Sequence, residues 1–458
     1  MERKQEPAVA DIFEDKQSSL SSWTDADGVE SDVRVDTLIG TFKDNTDAPI
    51  HRWFRYQAGF SYELVSSFLD VFDIGEDDTV LDPFGGVGTT VVEAKKKGAT
   101  AHGVEVHPFV SWVGERKTDW NVDISRLQKE KSELLNLVST ALNEHDHDNY
   151  VSDDEDPEFL YKIFDNRKLG ELYIIDEILK EFESEYSELY RMALVASLRE
   201  VCKANTVFPY VQPSATKDST PEPRTVFSNK LSMVVDDLNT TLRETETVGD
   251  STIHNIDARN IDTIEDESID TVITSPPYLN NVDYADVTRL ELYFLGYAST
   301  WGEVTDVVRT DLVNSSTVVL KGVPSDIEPK PELPEEIREE VARIQSEILD
   351  VRDEKDYSGK RYDVMVAAYF NDMYDVMSSV YDKMKPGTHF VMVLGDSAPY
   401  GVHVPTDIYL GRVAEQIGFK FEDVYEIRKR GDTWKSIKGS RRHDVDLRES
   451  IVLLKKPV

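Results

Sequence analysis

The sequence of 458 residues contains a single cysteine, Cys202. One thiol cannot build an intrachain disulfide framework or a cysteine-rich zinc site, so neither is expected. No run of eighteen apolar residues is present, and no transmembrane helix is therefore predicted. The first residues, MERKQEPAVADIFEDK, are charged and lack the apolar segment of a signal peptide. These absences make a soluble cytoplasmic protein the expectation.

Basic residues are scarce, because 51 Lys and Arg stand against 88 Asp and Glu, for a formal net charge of -37. The acidic residues are spread along the chain rather than confined to a tail. They indicate a solvated acidic surface of the kind that keeps halophilic proteins soluble, and a basic partner is the alternative. A nucleic-acid partner is compatible with the acidic surface, because molar salt screens the repulsion between the protein and phosphate.

Strand and helix patterns alternate along much of the chain and predict an α/β fold. Residues 1–45 are acidic, Ser-rich and weakly periodic, which predicts a mobile N-terminal arm. The alternating pattern covers residues 46–120, 251–300 and 361–458. It predicts a doubly wound, seven-stranded, mostly parallel sheet with an antiparallel hairpin at one end.

Two insertions interrupt this alternating pattern. Residues 121–250 are mainly helical in pattern, including the run LGELYIIDEILKEFESEYSELYRMALVASLREV. The Pro- and Thr-rich link VFPYVQPSATKDSTPEPRT is predicted to be a loop. Residues 301–360 form the second insertion, with the charged helix PEEIREEVARIQSEILDVRDE. This second insertion is a candidate for target recognition.

A glycine-rich turn, DPFGGVGTT, follows the first strand of the predicted sheet, where such sheets bind their ligands. A phosphate-binding loop would need a lysine after Gly88, and a dinucleotide fingerprint would need a third glycine at the position of Val91. A nucleoside ligand without phosphates fits better. Asp82 can accept the ammonium of such a ligand, and Glu105, at the end of the second strand, can bind ribose hydroxyls. S-Adenosylmethionine (AdoMet) has this shape and charge, and a plain tight turn is the alternative.

The fourth strand ends in a stiff corner, Ser275-Pro276-Pro277-Tyr278. The first and fourth strands lie side by side in a sheet of this topology, so this corner is predicted to lie beside the glycine turn. Acceptors at Ser275 and at the Pro276 carbonyl can hydrogen-bond an exocyclic amino group and aim its lone pair at a methyl donor. Tyr278 can stack on a flat base that is flipped out of a duplex.

The motifs LDPFGGVGTT and TSPPY together resemble those of the AdoMet-dependent DNA amino-methyltransferases, and HRWFRYQAGFSYELV resembles the cofactor-side helix of that family. The resemblance implies a Rossmann-like methyltransferase core, no metal and a DNA partner with a flipped base. Any restriction endonuclease that accompanies the protein would be a separate chain. Together with the acidic composition, the resemblance implies a halophilic archaeal source. The implied catalytic residues are Ser275, Pro276, Pro277 and Tyr278. The implied AdoMet-binding residues are Asp82, Phe84, Gly85, Gly86, Gly88, Thr89, Glu105 and Asp257.

The substrate implied by this resemblance is the N4 amino group of cytosine, because the family's Ser-Pro-Pro-Tyr form is mostly found in N4-cytosine enzymes. Methylation of adenine N6, of RNA or of a protein amide stays open, as does a non-catalytic subunit with the AdoMet fold. Methylation of cytosine C5 needs a thiolate nucleophile, usually after a proline. Cys202 follows Val201 inside a helical pattern, so C5 chemistry is not expected.

One cationic stretch, RKRGDTWKSIKGSRR, connects the last two predicted strands. It lies at the sheet edge that carries the corner and suits a phosphate backbone and an unpaired base. A solvated hairpin loop is the alternative. The predicted nucleic-acid-binding residues are Arg428, Lys429, Arg430, Trp434, Lys435, Lys438, Arg441 and Arg442.

Overall fold

A computed structural model of the chain describes residues 19–24, 30–35, 44–56, 59–147, 157–207, 209–354, 360–430 and 447–458. Within these residues, nine strands form one sheet in the order β1-β2-β10-β11-β9-β8-β3-β4-β7, and β5 and β6 form a separate two-stranded hairpin. The strands are β1 (Ser19–Thr24), β2 (Glu30–Val35), β3 (Thr79–Asp82), β4 (Thr100–Val104), β5 (Ala204–Val207), β6 (Tyr210–Thr216), β7 (Ser251–His254), β8 (Ile269–Thr274), β9 (Met384–Gly395), β10 (Lys420–Arg430) and β11 (Leu447–Lys455).

The predicted seven-stranded, mostly parallel sheet is confirmed for the seven strands from β10 to β7. The strands β7, β4, β3, β8 and β9 pair in parallel, and β11 pairs antiparallel with both β9 and β10. The predicted contact between the first and fourth strands of this core is also confirmed, because β3 pairs with β8. The sheet edge at the carboxyl ends of these two strands is therefore where the two motifs meet.

The two N-terminal strands extend the sheet beyond the seven that the pattern predicted. β2 pairs in parallel with β10 and antiparallel with β1, within the segment predicted to be a mobile arm. Their pairing satisfies backbone groups along the outer edge of β10, which would otherwise be an open strand edge. The partner of β2 lies about 390 residues further along the chain, and local periodicity carries no signal for so distant a pairing.

Helices cover both faces of the sheet. The helices are α1 (Tyr62–Val71), α2 (Thr89–Lys96), α3 (Pro108–Thr118), α4 (Ile124–Glu144), α5 (Glu158–Ile163), α6 (Asn166–Glu181), α7 (Ser187–Val201), α8 (Pro223–Glu244), α9 (Tyr284–Val287), α10 (Arg289–Phe294), α11 (Trp301–Val304), α12 (Glu335–Glu354), α13 (Tyr362–Lys383) and α14 (Thr406–Ile417). Adjacent residues in a strand face opposite sides. Val80 and Ile273 share a core with α1 and α2, whereas Leu81 and Val272 share one with α12, α13 and α14. Within the described residues, no helix is both long and apolar enough to cross a membrane.

The helical insertion differs from its predicted layout in two places. The predicted long helical run breaks into α6 and α7, where the Ser184 hydroxyl accepts a hydrogen bond from the Tyr186 N–H (3.0 Å) and replaces a helical turn locally. The link predicted to be a loop, residues 207–225, begins with the last residue of β5 and contains the whole of β6. Pro213 lies in the irregular part of that hairpin, between the paired residues Gln212 and Thr216, where its missing N–H removes no ladder bond.

Asp237 of α8 fastens the insertion to the segment that precedes α1. Its buried carboxylate accepts hydrogen bonds from the Ile50 N–H (3.1 Å), the Trp53 Nε1–H (3.0 Å) and the Arg52 guanidinium (3.0 and 2.5 Å). The insertion and this segment also share one apolar core. The insertion is therefore packed into the protein rather than appended to it.

We expect Asp237→Ala to lower the free energy of unfolding by ~2–3 kcal/mol, because it leaves buried donors without an acceptor. Denaturant titration of the purified protein measures this change. Asp236→Ala is the matched control, since Asp236 lies next in sequence on the same helix and is exposed. Equal midpoints for the two variants would contradict the fastening role of Asp237.

Candidate active site

The glycine turn and the Ser-Pro-Pro-Tyr corner leave β3 and β8 at the same edge of the sheet. The two strands are paired at Val80 with Thr271 and at Leu81 with Val272, so the residues that follow them are neighbours. Both segments line one cleft of about 810 Å³, part of it open to solvent. Residues predicted from the sequence that line this cleft are Phe84, Gly85, Gly86, Thr89, Glu105, Asp257, Ser275 and Pro277.

The glycine turn lies directly against strand β4. The Gly85 N–H donates to the Val104 carbonyl (2.8 Å), and a Cβ on Gly85 would lie only 3.1 Å from the Gly103 Cα. Gly86 and Gly88 have φ angles of 52° and 86°, a left-handed conformation that favours glycine. A Cβ on Gly86 would be in ordinary contact with the Tyr56 ring, 3.8 Å from its Cε1, and both residues line the cleft.

Asp82 connects the two motif-bearing strands. Its Oδ1 accepts hydrogen bonds from the Thr274 hydroxyl (2.5 Å) and the Phe84 N–H (3.0 Å), and the side chain is fully buried. Burial raises the pKa of this carboxyl to about 6, and the hydrogen bonds from its neighbours oppose the rise. Its Oδ2 accepts no hydrogen bond within the described residues, because the nearby Thr90 hydroxyl donates to the Ile273 carbonyl (3.1 Å). A ligand cation would satisfy this oxygen.

Glu105 and Asp257 both line the cleft but have different surroundings. The Glu105 carboxylate accepts a hydrogen bond from the His107 N–H (2.8 Å). Burial raises the pKa of this carboxyl to about 7, and hydrogen bonding by the backbone N–H groups of His107 and Gly86 opposes the rise. Asp257 is already bound by the Arg259 guanidinium, which donates to its Oδ1 (3.0 Å) and Oδ2 (2.8 and 2.6 Å). Arg259 also reaches Asp372 (3.2 Å), so Asp257 is held in place as part of an ion-pair network.

The corner itself contributes Ser275 and Pro277 to the cleft, while Pro276 is buried. Tyr278 lies beside the cleft and donates its hydroxyl hydrogen bond to Glu449 Oε1 (2.7 Å). The Arg430 guanidinium lies 5.1 Å from the centroid of the Tyr278 ring. Burial and the neighbouring Glu449 carboxylate raise the pKa of the Tyr278 phenol. Tyr278 therefore carries a neutral, hydrogen-bonded hydroxyl.

Sequence reasoning missed several residues that line the cleft. Tyr56 and Phe60 belong to the segment predicted as a cofactor-side helix. This segment forms a short 3₁₀ turn (His51–Trp53), its described residues 54–56 and 59–61 are not helical, and α1 starts at Tyr62. Tyr56 consequently lies beside the glycine turn. The helical prediction was wrong for this part. Further lining residues that the sequence did not indicate are His107, Ile256, Tyr284, Leu312 and Val313.

His107 connects the start of α3 to the segment that follows the corner. It caps α3, and its Nε2 lies 2.7 Å from the Thr288 hydroxyl next to α9. Burial lowers the pKa of His107 to about 3, so the ring is neutral and acts as a structural hydrogen-bonding group. Tyr284 begins α9 and lines the cleft beside Ser275.

The predicted basic loop is described only at its first end. Arg428, Lys429 and Arg430 are the last residues of β10, and Arg428 forms an ion pair with Glu449. Arg430 donates to the Asp396 carbonyl (3.0 Å). The remaining predicted residues of the loop, which lie outside the described residues, are Trp434, Lys435, Lys438, Arg441 and Arg442. Within the described part of the chain, no cluster of His, Cys, Asp and Glu side chains could hold a metal ion.

The family described as RMKL-like, methyltransferase domain, matches residues 49–295 of the chain. The chain is also similar to the Type II methyltransferase M.BsoBI of Geobacillus stearothermophilus, with 25% identity over 94% of this chain and 90% of that protein. M.AvaI of Nostoc sp. is 23% identical over 84% of this chain and 82% of its own length. M.MvaI of Kocuria varians is 22% identical over 82% of this chain and 83% of its own length. These alignments cover a larger share of the chain than the matched region does.

Proposed function

Because this chain belongs to the RMKL-like methyltransferase domain family, we propose that it transfers a methyl group from AdoMet to the exocyclic N4 of cytosine in duplex DNA. The observation that carries the proposal is that one cleft is lined by the glycine turn, by Glu105 and by the corner residues Ser275 and Pro277. A methyl donor and a planar acceptor can thereby meet at the shared edge of β3 and β8. The similarity to Type II methyltransferases supports DNA as the substrate.

The residues that line the cleft, together with the buried Asp82 that precedes the glycine turn, match the groups of AdoMet in their donor and acceptor chemistry. The unpartnered Oδ2 of Asp82 would accept the ammonium group. Glu105 would accept the ribose hydroxyls, and Asp257, held by Arg259, would accept the adenine amino group. The absence of a side chain at Gly86, which lines the cleft, would let the ligand approach the backbone closely. AdoMet itself supplies an electrophilic methyl group on a positively charged sulfur.

The corner would activate the target amino group by positioning it. The lone pair of an exocyclic amino nitrogen is delocalised into the base, which makes the nitrogen a weak nucleophile. The Ser275 hydroxyl and the Pro276 carbonyl would accept its two hydrogens, draw the nitrogen towards tetrahedral geometry and aim its lone pair. The two prolines restrict the backbone that carries these acceptors. Tyr278 would stack on the base after it is flipped from the duplex.

The target base is proposed to be cytosine because Ser275 stands at the first position of the corner. A serine hydroxyl is neutral and can accept one amino hydrogen while it donates its own proton elsewhere. An aspartate at that position would mark the adenine N6 form of the corner. Adenine N6 is therefore the second candidate substrate.

Nucleoside analysis tests this function directly. The chain is expressed in a host whose DNA carries no N4-methylcytosine, and the DNA is digested and examined by mass spectrometry. We expect N4-methylcytosine with the wild-type chain and none with Tyr278→Ala. N6-methyladenine as the sole product would overturn the cytosine assignment. Unmodified DNA would favour an RNA or protein substrate, or a non-catalytic subunit.

The basic stretch at residues 428–442, whose first three residues are the last of β10, is proposed to hold the DNA backbone beside the corner. Its seven cationic residues stand in a chain whose net charge of -37 otherwise repels phosphate. Each lost phosphate contact should reduce the slope of log affinity against log salt by ~0.9. A salt titration of duplex binding therefore compares the double variant, Arg441→Glu together with Arg442→Glu, with the wild type. Equal slopes and equal affinities for the variant and the wild type would mean that this stretch does not contact phosphate.

A restriction endonuclease that accompanies this protein would be a separate chain. The sequence carries no nuclease motif, and the proposed methyltransferase accounts for both motif-bearing turns. This part of the proposal follows from the Type II class of the similar proteins.

A further inference from the structure

Three residues from the C-terminal half of the sheet surround Tyr278. Glu449 of β11 accepts its hydroxyl (2.7 Å), and the Arg430 guanidinium of β10 lies 5.1 Å from its ring centroid. Gly395 of β9 lies against the same ring, because a Cβ on Gly395 would be 3.1 Å from Tyr278 Cδ2. The tyrosine is therefore contacted at its hydroxyl, near its ring face and along one edge.

Strand register explains how these three residues come together. Glu449 stands opposite Gly395 of β9 on one side and opposite Arg428 of β10 on the other. Glu449 is only 6% exposed, and its carboxylate contacts the Tyr278 hydroxyl and the Arg428 guanidinium. A carboxylate in a buried strand is costly unless it is hydrogen-bonded and paired. The Tyr278 hydroxyl is thus part of what keeps this charge in place.

Gly395 makes room for Arg430. A Cβ on Gly395 would lie 2.2 Å from Arg430 Nη1, a distance that requires the guanidinium to move. Arg430 Nη1 donates to the carbonyl of Asp396, the residue after Gly395 (3.0 Å). The absence of a side chain at Gly395 therefore lets the guanidinium lie between the strand backbone and the Tyr278 ring.

We propose that Glu449, Arg430 and Gly395 are positioning residues that hold the Tyr278 ring in the orientation needed to stack on the target base. The inference rests on the proposed function, because the stacking partner is the flipped base. A tyrosine that is fixed in the free protein loses little conformational freedom when the base arrives. The three residues act through Tyr278 and do not themselves line the cleft. Their loss should lower turnover without changing the affinity for AdoMet.

A double-mutant cycle tests the role of Glu449. We expect Glu449→Leu to lower kcat by on the order of 10- to 100-fold, the value of a hydrogen bond to a charged group. Glu449→Gln keeps an acceptor and should recover most of the activity. In a Tyr278→Phe background, which lacks the hydroxyl, Glu449→Leu should have little further effect. An equal loss in both backgrounds would overturn the proposal, because Glu449 would then act independently of the tyrosine hydroxyl.

Gly395→Ala provides a second test, and it removes no functional group. The added methyl group should displace Arg430 and the Tyr278 ring, and lower kcat by on the order of tenfold or more. Gly75→Ala is the matched control, since a Cβ on Gly75 would meet nothing within 4 Å. Equal kcat values for Gly395→Ala and the control would overturn the role of Gly395.

A spectroscopic measurement separates this inference from the proposed function. The chain is labelled with ¹³Cζ-tyrosine, and the Tyr278 resonance is assigned by its loss in Tyr278→Phe. We expect this resonance to shift in Glu449→Leu and Gly395→Ala but not in Gly75→Ala. Such shifts in a chain that methylates no DNA would retain the positioning role and reject the substrate. An unchanged resonance in both variants would reject the positioning role, whatever the substrate.

Discussion

Tyr278→Ala is expected to lower the single-turnover rate of methylation by on the order of a thousandfold. Stacking of a base on an aromatic ring contributes ~1–3 kcal/mol, and loss of alignment between the amino nitrogen and the methyl donor adds a further large factor. The affinity for AdoMet should be unchanged, because Tyr278 contacts Glu449 and Arg430 rather than the glycine turn. Rapid-quench assays on duplex DNA and calorimetry with AdoMet measure the two quantities separately.

Tyr374→Ala is the matched control for this experiment. Tyr374 is a half-buried tyrosine of α13 with the Lys330 ammonium 5.7 Å from its ring centroid, and it resembles Tyr278 in burial and in its cationic neighbour. It lies outside the cleft, so its loss should leave the rate within a small factor of the wild type. A comparable decrease in both variants would mean that Tyr278→Ala acts through stability. A weaker AdoMet affinity in Tyr278→Ala would mean that the ring belongs to the cofactor site.

The corner is braced from two sides that are distant in sequence. On one side, Glu449 and Arg430 hold Tyr278. On the other, Arg199 of the helical insertion donates to the buried Glu291 carboxylate (2.6 and 3.0 Å), which belongs to the helices after the corner. The insertion therefore supports the segment that begins with Tyr284 as well as sharing the core of the segment that precedes α1. A role for it in target recognition would have to be carried by its exposed surface.

The features that could be predicted from the sequence are those with local signals. Strand β3, the glycine turn and α2 follow one another within residues 79–96, and each has its own composition: β-branched residues, glycines, then a helix that ends before Gly98. The pairing of β3 with β8 followed from a general rule of sheet topology. Together these placed Gly86 and Ser275 at one sheet edge, and both line the same cleft.

The contacts that could not be predicted join residues far apart in the chain. Tyr278 and Glu449 are 171 residues apart, and nothing in the pattern of β11 distinguishes Glu449 from an ordinary polar strand residue. The basic stretch was interpreted as a nucleic-acid contact from its charge, its tryptophan and its place at the sheet edge, yet Arg428 and Arg430 both contact protein groups. Charge in a sequence indicates neither the partner nor the direction of a side chain. Tyr56 was missed for a different reason, since its aromatic spacing is also typical of a helix.

Two substitutions in the cleft are expected to weaken AdoMet binding by about a hundredfold or more. Gly86→Val places a β-branched side chain at a φ of 52°, which strains the turn, and fills space on the cleft side. Glu105→Ala removes a carboxylate that would accept hydrogen bonds from the ribose, each worth ~1.5–3 kcal/mol for a charged acceptor. Isothermal calorimetry of the purified variants measures both effects. Gly75→Val and Glu63→Ala are the controls, because Gly75 has open space around it and Glu63 is exposed on α1.

The pH dependence of AdoMet binding gives this assignment a sharper test. Burial raises the pKa of the Glu105 carboxyl to about 7, and a carboxyl that accepts ribose hydroxyls must be ionised in the complex. Binding therefore releases a proton below pH about 7, and the affinity should fall as the pH is lowered through that value, by up to ~10-fold per unit. Asp82, with a pKa of about 6, contributes in the same direction at lower pH. Glu105→Gln should lose the dependence near pH 7, and an unchanged pH profile in that variant would place the ribose elsewhere.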